Sequence, residues 1–584
     1  MSWRVPEMKM RPSDGGLALL VLLWTLAATL PLYLAWGQLS LVSEASVFDT
    51  ISNLESRFQT KGALRFTFLE AALSTLLTIL LGVPLAWTLG RWRWPARRFL
   101  RAFFTAPFVM PSVAVAAGFL ALVDSDGPLM VLGIDLRTET GVVGAFSSIS
   151  GWSNSGQMIA LLLAHAWFNL ALIVRFCEPL LSSLDPSLEE AARLLPQGRS
   201  RVARLRRLWA PLLWPSVAAA SVLTFIFSFT SFALVKSLTP DSRNIEVVLA
   251  NQADWAGINI ASLGQTPSEI VMALSLIQLV TMVAALALLS ALQARRSRRL
   301  PLLSDEAALK PAPLRTWRSV HLALMALFTL SPLLMLALAS FQVRDAGAMA
   351  FSFAGWQAAF DGTGANSTLT EALANSVKYA ILTMAVALPT GYGLAHTIHR
   401  LEATRPRLAS LIDILAMLPL ALSAVMVGLG VLIGLLRTEP DLLTRWWIPA
   451  FGHIMLTTPF VVRILLPAIR RLDPDLESAS ALLGAGPLRR LFSIRLPLLR
   501  GSLIVAASFV LAISLGEFGA SWVVVRFGAW STLPVLIGER LARPGWNPLM
   551  RPAAYASSTA LLFVTMALFM AVERFRPDGA RSEF

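Results

Sequence analysis

The tightest constraint on this chain is one spaced pattern written twice, 288 residues apart. His165, Arg175, Pro179 and Asp185-Pro186 recur as His453, Arg463, Pro467 and Asp473-Pro474, with every interval kept. Behind each copy comes an acidic, alanine-rich stretch. A glycine follows, with a proline thirteen residues beyond it: Gly198 to Pro211 and Gly484 to Pro497. A polar, Arg-rich element repeated inside a greasy chain implies two copies of one structural unit.

The greasiness decides what kind of unit. Of 584 residues, 56% are hydrophobic and 14% charged, against about 25% charged in ordinary soluble proteins. The apolar residues lie in long runs such as Leu17–Trp36, Ala380–His396 and Ala553–Val572. About 20 apolar residues cover the bilayer core as a helix. Only helices and closed barrels satisfy their backbone groups in lipid, and the short alternating segments of a barrel are missing. The expected fold is an all-α polytopic membrane protein of two tandem six-helix units, about twelve transmembrane helices, in parallel orientation.

The expected spans are 17–37, 64–90, 102–123, 157–181, 212–236 and 269–292, then 319–341, 372–398, 409–436, 447–469, 499–525 and 552–573. The first run has no small-residue cleavage site and reads as a span. Five of the 49 basic residues are Lys and the rest Arg, gathered in short loops between greasy runs. That is the positive-inside pattern and not a nucleic-acid surface. With the N-terminus inside, Arg91–Arg101, Arg199–Arg207 and Arg295–Arg299 fall on one side, so both termini are expected in the cytoplasm. Arg526, Arg540 and Arg543 fall on the opposite side and blur the second half. Residues 293–317, polar and Pro-containing, read as a linker.

Expected boundaries follow. Residues 1–62 hold the first span and an outer loop, and 63–292 the first unit proper. After the linker, 318–370 hold the seventh span and its loop, 371–574 the second unit, and 575–584 a tail.

In each copy the His, Arg and Pro fall within an arc of about 80° on one helix face. Arg175 and Arg463 sit near the inner helix end as anchors, and His165 and His453 are expected to bond a neighbouring backbone. Asp185 and Asp473, each before Pro, mark helix starts: Asp as N-cap, Pro at the first helical position. Glu189, Glu190 and Glu477 then sit where the helix dipole favours them. A second short basic segment, Arg199–Leu208 or Pro487–Leu496, is expected to lie across the cytoplasmic face.

These residues resemble the EAA loop of type I ABC importer permeases, in a fused two-unit form. The first copy is Glu189, Glu190, Ala191, Ala192 and Gly198; the second is Glu477, Ser478, Ala479, Ser480 and Gly484. The first has two extra residues before its glycine, and Ser478 stands where the family has Glu. The resemblance implies a cytoplasmic coupling helix on each unit, seated on one of two copies of a cytosolic ATPase subunit. It also implies a periplasmic or lipid-anchored solute-binding protein and a bacterial inner-membrane location. Small residues permit close approach, and flanking Arg can pair with acidic partner groups. No Gly-x-x-x-x-Gly-Lys element occurs, so no P-loop cradles ATP here. ATP and magnesium belong to the partner, with no cofactor expected on this chain. With one cysteine and no His pair at ligand spacing, neither a metal site nor catalytic machinery is expected, and lipid is the only other partner.

A second parallel runs through the fifth spans: Phe229–Ala233 matches Leu515–Gly519 at constant offset. Glu517 within a greasy span costs roughly 2.5–3.5 kcal/mol on insertion scales and must face the bundle interior or a watery path. It either lines the route or pairs with a neighbour such as Lys378. Ser231, Phe232, Glu517, Phe518 and Trp522 are the pathway or gate candidates. The stretch Ser514–Val523 with Ser531–Val535 resembles the thiamine and iron(III) branches, more the thiamine one. Glu517 and Trp522 would suit that cation, or its phosphates. Iron(III), sulfate, molybdate or a polyamine are alternatives. A gradient-driven carrier is the alternative of another class, although a self-sufficient carrier has no use for twin cytoplasmic handles.

Overall fold

A computed structural model describes residues 12–575 apart from 43–45, 57–59, 125–126, 132–133, 137–142, 144–146, 149–153, 184–185, 195–199, 257–264, 297–309, 312–315, 346–347, 437, 526–529 and 543–546. Most of these residues are helical, and the strands among them form two small pairings. Nine described helices are long and apolar enough to cross a membrane, or eleven if two sharply bent pairs each count as one span. Helix Met550–Phe575 occupies the twelfth expected span.

In the first unit the spans are Pro12–Val42, Ala63–Arg91, Ser112–Val123, Ser155–Ser183, Ala210–Phe229 and Gln265–Arg296. The second has Trp317–Ala339, Leu369–Thr404, Pro406–Ala421 with Ala424–Leu436, Ile448–Arg470, Arg500–Gly516 and Met550–Phe575. They are called spans 1 to 6 of each unit below.

The expected third and fifth spans are not continuous helices. In the first unit Met110 is extended (ψ 142°) before Pro111, because a residue ahead of proline avoids the helical region. An amphipathic helix, Arg97–Thr105, precedes that break. In the second unit the two pieces of span 3 meet at 88° across Leu422-Ser423, and Ser423 Oγ accepts the Met426 N–H at 3.0 Å. Span 5 of the first unit stops at Phe229 and resumes as Ala233–Leu238; that of the second stops at Gly516 and resumes as Gly519–Val524. Unpaired backbone at membrane depth persists only where protein buries it or it lines a cavity, so four such breaks mark the centre of the bundle.

Span 1 of each unit packs on the other unit. Pro12–Val42 lies along Ala424–Leu436, and Trp317–Ala339 lies along Ser112–Val123. Glycines make room for these crossings: a Cβ on Gly434 would meet the Pro31 carbonyl oxygen at 2.7 Å, and one on Gly118 the Pro332 carbonyl oxygen at 2.6 Å. Small residues let helices approach closely where no hydrophobic effect drives them together. The two units are therefore interlocked.

Three expectations shift. Arg97 and Arg101 are not merely loop charges: both bond the buried Glu178 of span 4, at 2.5 and 2.8 Å, pinning the amphipathic helix to it. Arg540 is not a loop residue at all. It is fully buried on helix Leu533–Ala542 and donates to Ser557 Oγ (2.7 Å) and the Ala359 carbonyl (3.3 Å). Its topological anomaly is thereby explained; Arg526 and Arg543 lie outside the described residues. The linker is anchored too, since Lys310-Pro311 pair in parallel with Trp92-Arg93, beside the loop after span 2.

Candidate functional site

The two segments expected to dock form short helices where the repeated Asp-Pro stands. Helices Pro186–Leu194 and Pro474–Leu482 follow the two span-4 helices. Asp473 caps the second, accepting the Asp475 N–H at 2.9 Å. Asp185 and Gly198, with the side chains of Glu189 and Glu477, lie outside the described residues. Gly484 ends the second helix at φ +80°, a left-handed conformation open to glycine. Glu190, Ala191, Ser478 and Ala479 are exposed, Ala192 is partly so, and Ser480 is buried. Leu194, Leu482 and Leu483 are 84%, 90% and 88% exposed. Each short polar segment therefore exposes bare leucine.

The short basic segments that follow do not both lie flat. Each carries a π turn, Leu205–Trp209 and Leu491–Arg495, just before Pro211 and Pro497. Proline lacks an N–H and crowds the carbonyl four residues back, and a wider turn relieves this. In the first unit the segment runs straight on as one helix, Val202–Phe229; in the second it meets span 5 at 79°.

The anchors differ as well. Arg463 donates to Asp413 (3.3 Å) on its own unit, whereas the Arg175 guanidinium lies 5.7 Å from the Phe509 ring centre, across the unit boundary.

At the centre the two span-5 breaks meet. Phe232 and Phe518, equivalent residues of the two units, stack with ring centres 5.2 Å apart and planes 19° from parallel. Trp522 closes on both, 5.2 Å from Phe518 and 6.4 Å from Phe232. Gly538 leaves the space Phe518 fills, since a Cβ there would meet its ring at 2.6 Å. Lys236 Nζ sits 4.1 Å from the Trp522 ring centre. Lys236 and Trp522 are themselves equivalents, at the offset that relates Phe232 to Phe518. Extending the Phe229–Ala233 match by three residues would have found the lysine. Gln157, at the start of span 4, bonds Asp241 just after this lysine (2.8 Å). The Lys236 layer therefore lies on the side away from the docking segments.

Two of the candidates have bonded partners. The Ser231 carbonyl accepts the Asn244 side-chain amide at 2.7 Å, which ties down the first break. Glu517 is buried. Its partner is His453, Nε2 to Oε2 3.2 Å, and not Lys378. Its oxygens also accept the Ala520 and Ser521 N–H groups (2.7 and 3.0 Å), capping helix Gly519–Val524. His453 in turn bonds side chains, Ser514 and Ser521, and not the neighbouring backbone. His165 pairs with Glu70 and lies 3.1 Å from Ser74 Oγ. The sequence reading missed Glu70, because nothing local distinguishes it from a residue at the mouth of span 2.

Comparison with known proteins agrees with this arrangement. A family profile described as binding-protein-dependent transport system inner membrane component matches residues 79–300. The probable ABC transporter permease protein y4fN of Sinorhizobium fredii (strain NBRC 101917 / NGR234) is 23% identical over 582 residues, 96% of each chain. The thiamine transport system permease protein ThiP of Brucella abortus (strain 2308) is 25% identical over 547 residues, 91% of this chain and 90% of that one. The sulfate transport system permease protein CysT of Salmonella typhimurium is 30% identical over 206 residues, 35% of this chain and 67% of that one. Permeases of this family work with ATPase subunits and solute-binding proteins and are not themselves enzymes. Interlocked tandem units, twin short helices after each span 4 and these similarities converge: the chain belongs to the binding-protein-dependent transport system inner membrane component family, as a multi-pass inner-membrane permease subunit of an ABC importer.

Proposed function

We propose that this one chain forms the whole translocation pathway of its importer, closed at the Phe232–Phe518 stack. The observation that carries the reading is that stack, built from equivalent residues of two units at the point where both helices break. Aromatic rings in offset or stacked contact make a compact apolar barrier that small rotations of the units can part. The residues around Ala191 and Ala479 seat on two ATPase subunits, one for each unit. Leu194 and Leu482-Leu483 supply the apolar contact. Both termini and the linker then face the cytoplasm, and the Lys236 layer faces the binding protein. The functional boundaries fall at 63–292 and 371–574, with spans 1 and 7 as crossing braces.

ATP binding draws the two docking segments together and turns the cavity outward, and hydrolysis returns it. The chain's own part is to hold two packed arrangements of the breaks that the partners bias from either side.

For the solute, similarity across nearly the full length to a thiamine permease supports thiamine or its phosphates. Glu517, engaged with His453, lends that reading no cation site. Lys236 against Trp522 places a positive charge beside the closure, which favours the phosphate esters over the free cation. Vesicles holding the chain, its ATPase and its binding protein test this. ATP-dependent uptake of labelled thiamine phosphate, exceeding that of thiamine, is expected. Uptake of sulfate or iron(III) alone would refute the substrate reading, and uptake without nucleotide would refute the importer.

A further inference from the structure

We propose that His453 is a positioning residue that carries movement of the second docking segment directly into the closure, and that the first unit has no such joint. The inference rests on the gate reading above and assigns its moving part.

His453 lies on Ile448–Arg470, and the docking helix Pro474–Leu482 begins only four residues beyond that span. Its ring holds both sides of one helix break. Nδ1 is 2.7 Å from Ser514 Oγ, in the last turn of Arg500–Gly516. Nε2 is 2.8 Å from Ser521 Oγ, in Gly519–Val524 beyond the break. Glu517 completes the clamp by capping that short helix through the Ala520 and Ser521 N–H groups while facing the same Nε2. Phe518 is thereby fixed between two residues of the clamp, and Trp522 directly follows a third. The ring is 1% exposed and meets Tyr379 edge to face, so it has no room to slip. A close-packed interior passes displacement on rather than absorbing it. Rotation of span 4 must therefore move Phe518 and Trp522.

The equivalent histidine cannot do this. His165 faces Glu70 and Ser74 on span 2, and its Nε2 has no hydrogen-bond partner among the described residues. From span 4 of the first unit, Asn169 reaches Ser228 at 3.3 Å on the near side of that break, and Gln157 reaches Asp241 only past the end of the far helix, so no single residue holds both sides. The break itself is tied, through the Ser231 carbonyl, to Asn244 and not to span 4.

The test uses the assembled importer with its ATPase in nanodiscs. Cysteines replace Phe232 and Phe518, and Cys177→Ser removes the native thiol. A short bifunctional thiol reagent reads the closure with and without vanadate-trapped nucleotide. In this parent, cross-link yield is expected to change at least threefold on trapping. With His453→Ala, ATPase co-purification and basal hydrolysis are expected to persist while the yield becomes insensitive to trapping. With His165→Ala, at least half of the response is expected to remain. The milder Ser514→Ala with Ser521→Ala, which frees the ring without removing it, is expected to reproduce the His453→Ala loss. A full nucleotide response in either second-unit variant overturns the proposal, as does equal loss in His165→Ala. A parent whose yield ignores nucleotide overturns the gate reading itself, and the joint with it.

Discussion

The two units solve the same problem with the same residue and opposite geometry. Each buries a histidine of the repeated pattern in mid-span and gives it one carboxylate. In the first unit the acid comes from span 2, as Glu70; in the second it comes from the break in span 5, as Glu517. Matching hydrogen bonds set the register between the copies. Thr67 Oγ1 accepts the Ile245 N–H at 3.0 Å, and Ser376 Oγ accepts the Leu533 N–H at 2.8 Å. In that register Glu70 corresponds to Tyr379, and Glu517 to Ser231. A buried acid in lipid needs a partner, but the partner's side of the ring is free to change. The exchange has consequences. All ring and carboxylate atoms of the second pair are bonded, whereas His165 Nε2 and Glu70 Oε2 find nothing among the described residues.

The sharpest way to break this comparison is to remove each acid in turn. Glu517→Ser strips a cap and a buried partner at once and is expected to cost about 3–5 kcal/mol. Glu70→Ser leaves Ser74 on the ring and is expected to cost about 1–3 kcal/mol. Thermal unfolding of the purified chain in detergent measures both; equal losses would erase the distinction between the units. Next comes a transplant. Tyr379→Glu added to Glu517→Ser moves the second unit's acid to the first unit's position. It is expected to recover at least half of the lost thermal stability, and no recovery would mean that the two sites are not equivalent.

A smaller effect concerns the docking segments. Leu482→Asp is expected to weaken ATPase binding about tenfold, or about 1.4 kcal/mol. Leu194→Asp, in the first segment, should weaken it less. Titration of the purified ATPase onto immobilised permease decides between them. The smallest change is expected from Lys236→Met, which removes a cation–π contact of about 0.5–2 kcal/mol. Its signature is a shift in uptake ratio from thiamine phosphate toward thiamine, with total stability nearly unchanged.

Much of the molecule was legible in the chain. Long apolar runs set the spans, because twenty greasy residues have few other destinations. Asp473-Pro474 marked its helix start through capping chemistry that acts within three residues. The 286-residue offset between Phe232 and Phe518 paired, before any contact was known, the two rings that stack. These features are local or periodic, so spacing alone encodes them. Contacts between distant helices are not. That Glu517 would meet His453 rather than Lys378, that Arg540 would be a buried tie, and that each first span would cross to the other unit all depend on how finished helices rotate and pack. Composition and interval determined two membrane units with twin handles. Tertiary structure alone decided which buried groups face each other, because partners 64 residues apart, like Glu517 and His453, are chosen by packing and not by sequence distance.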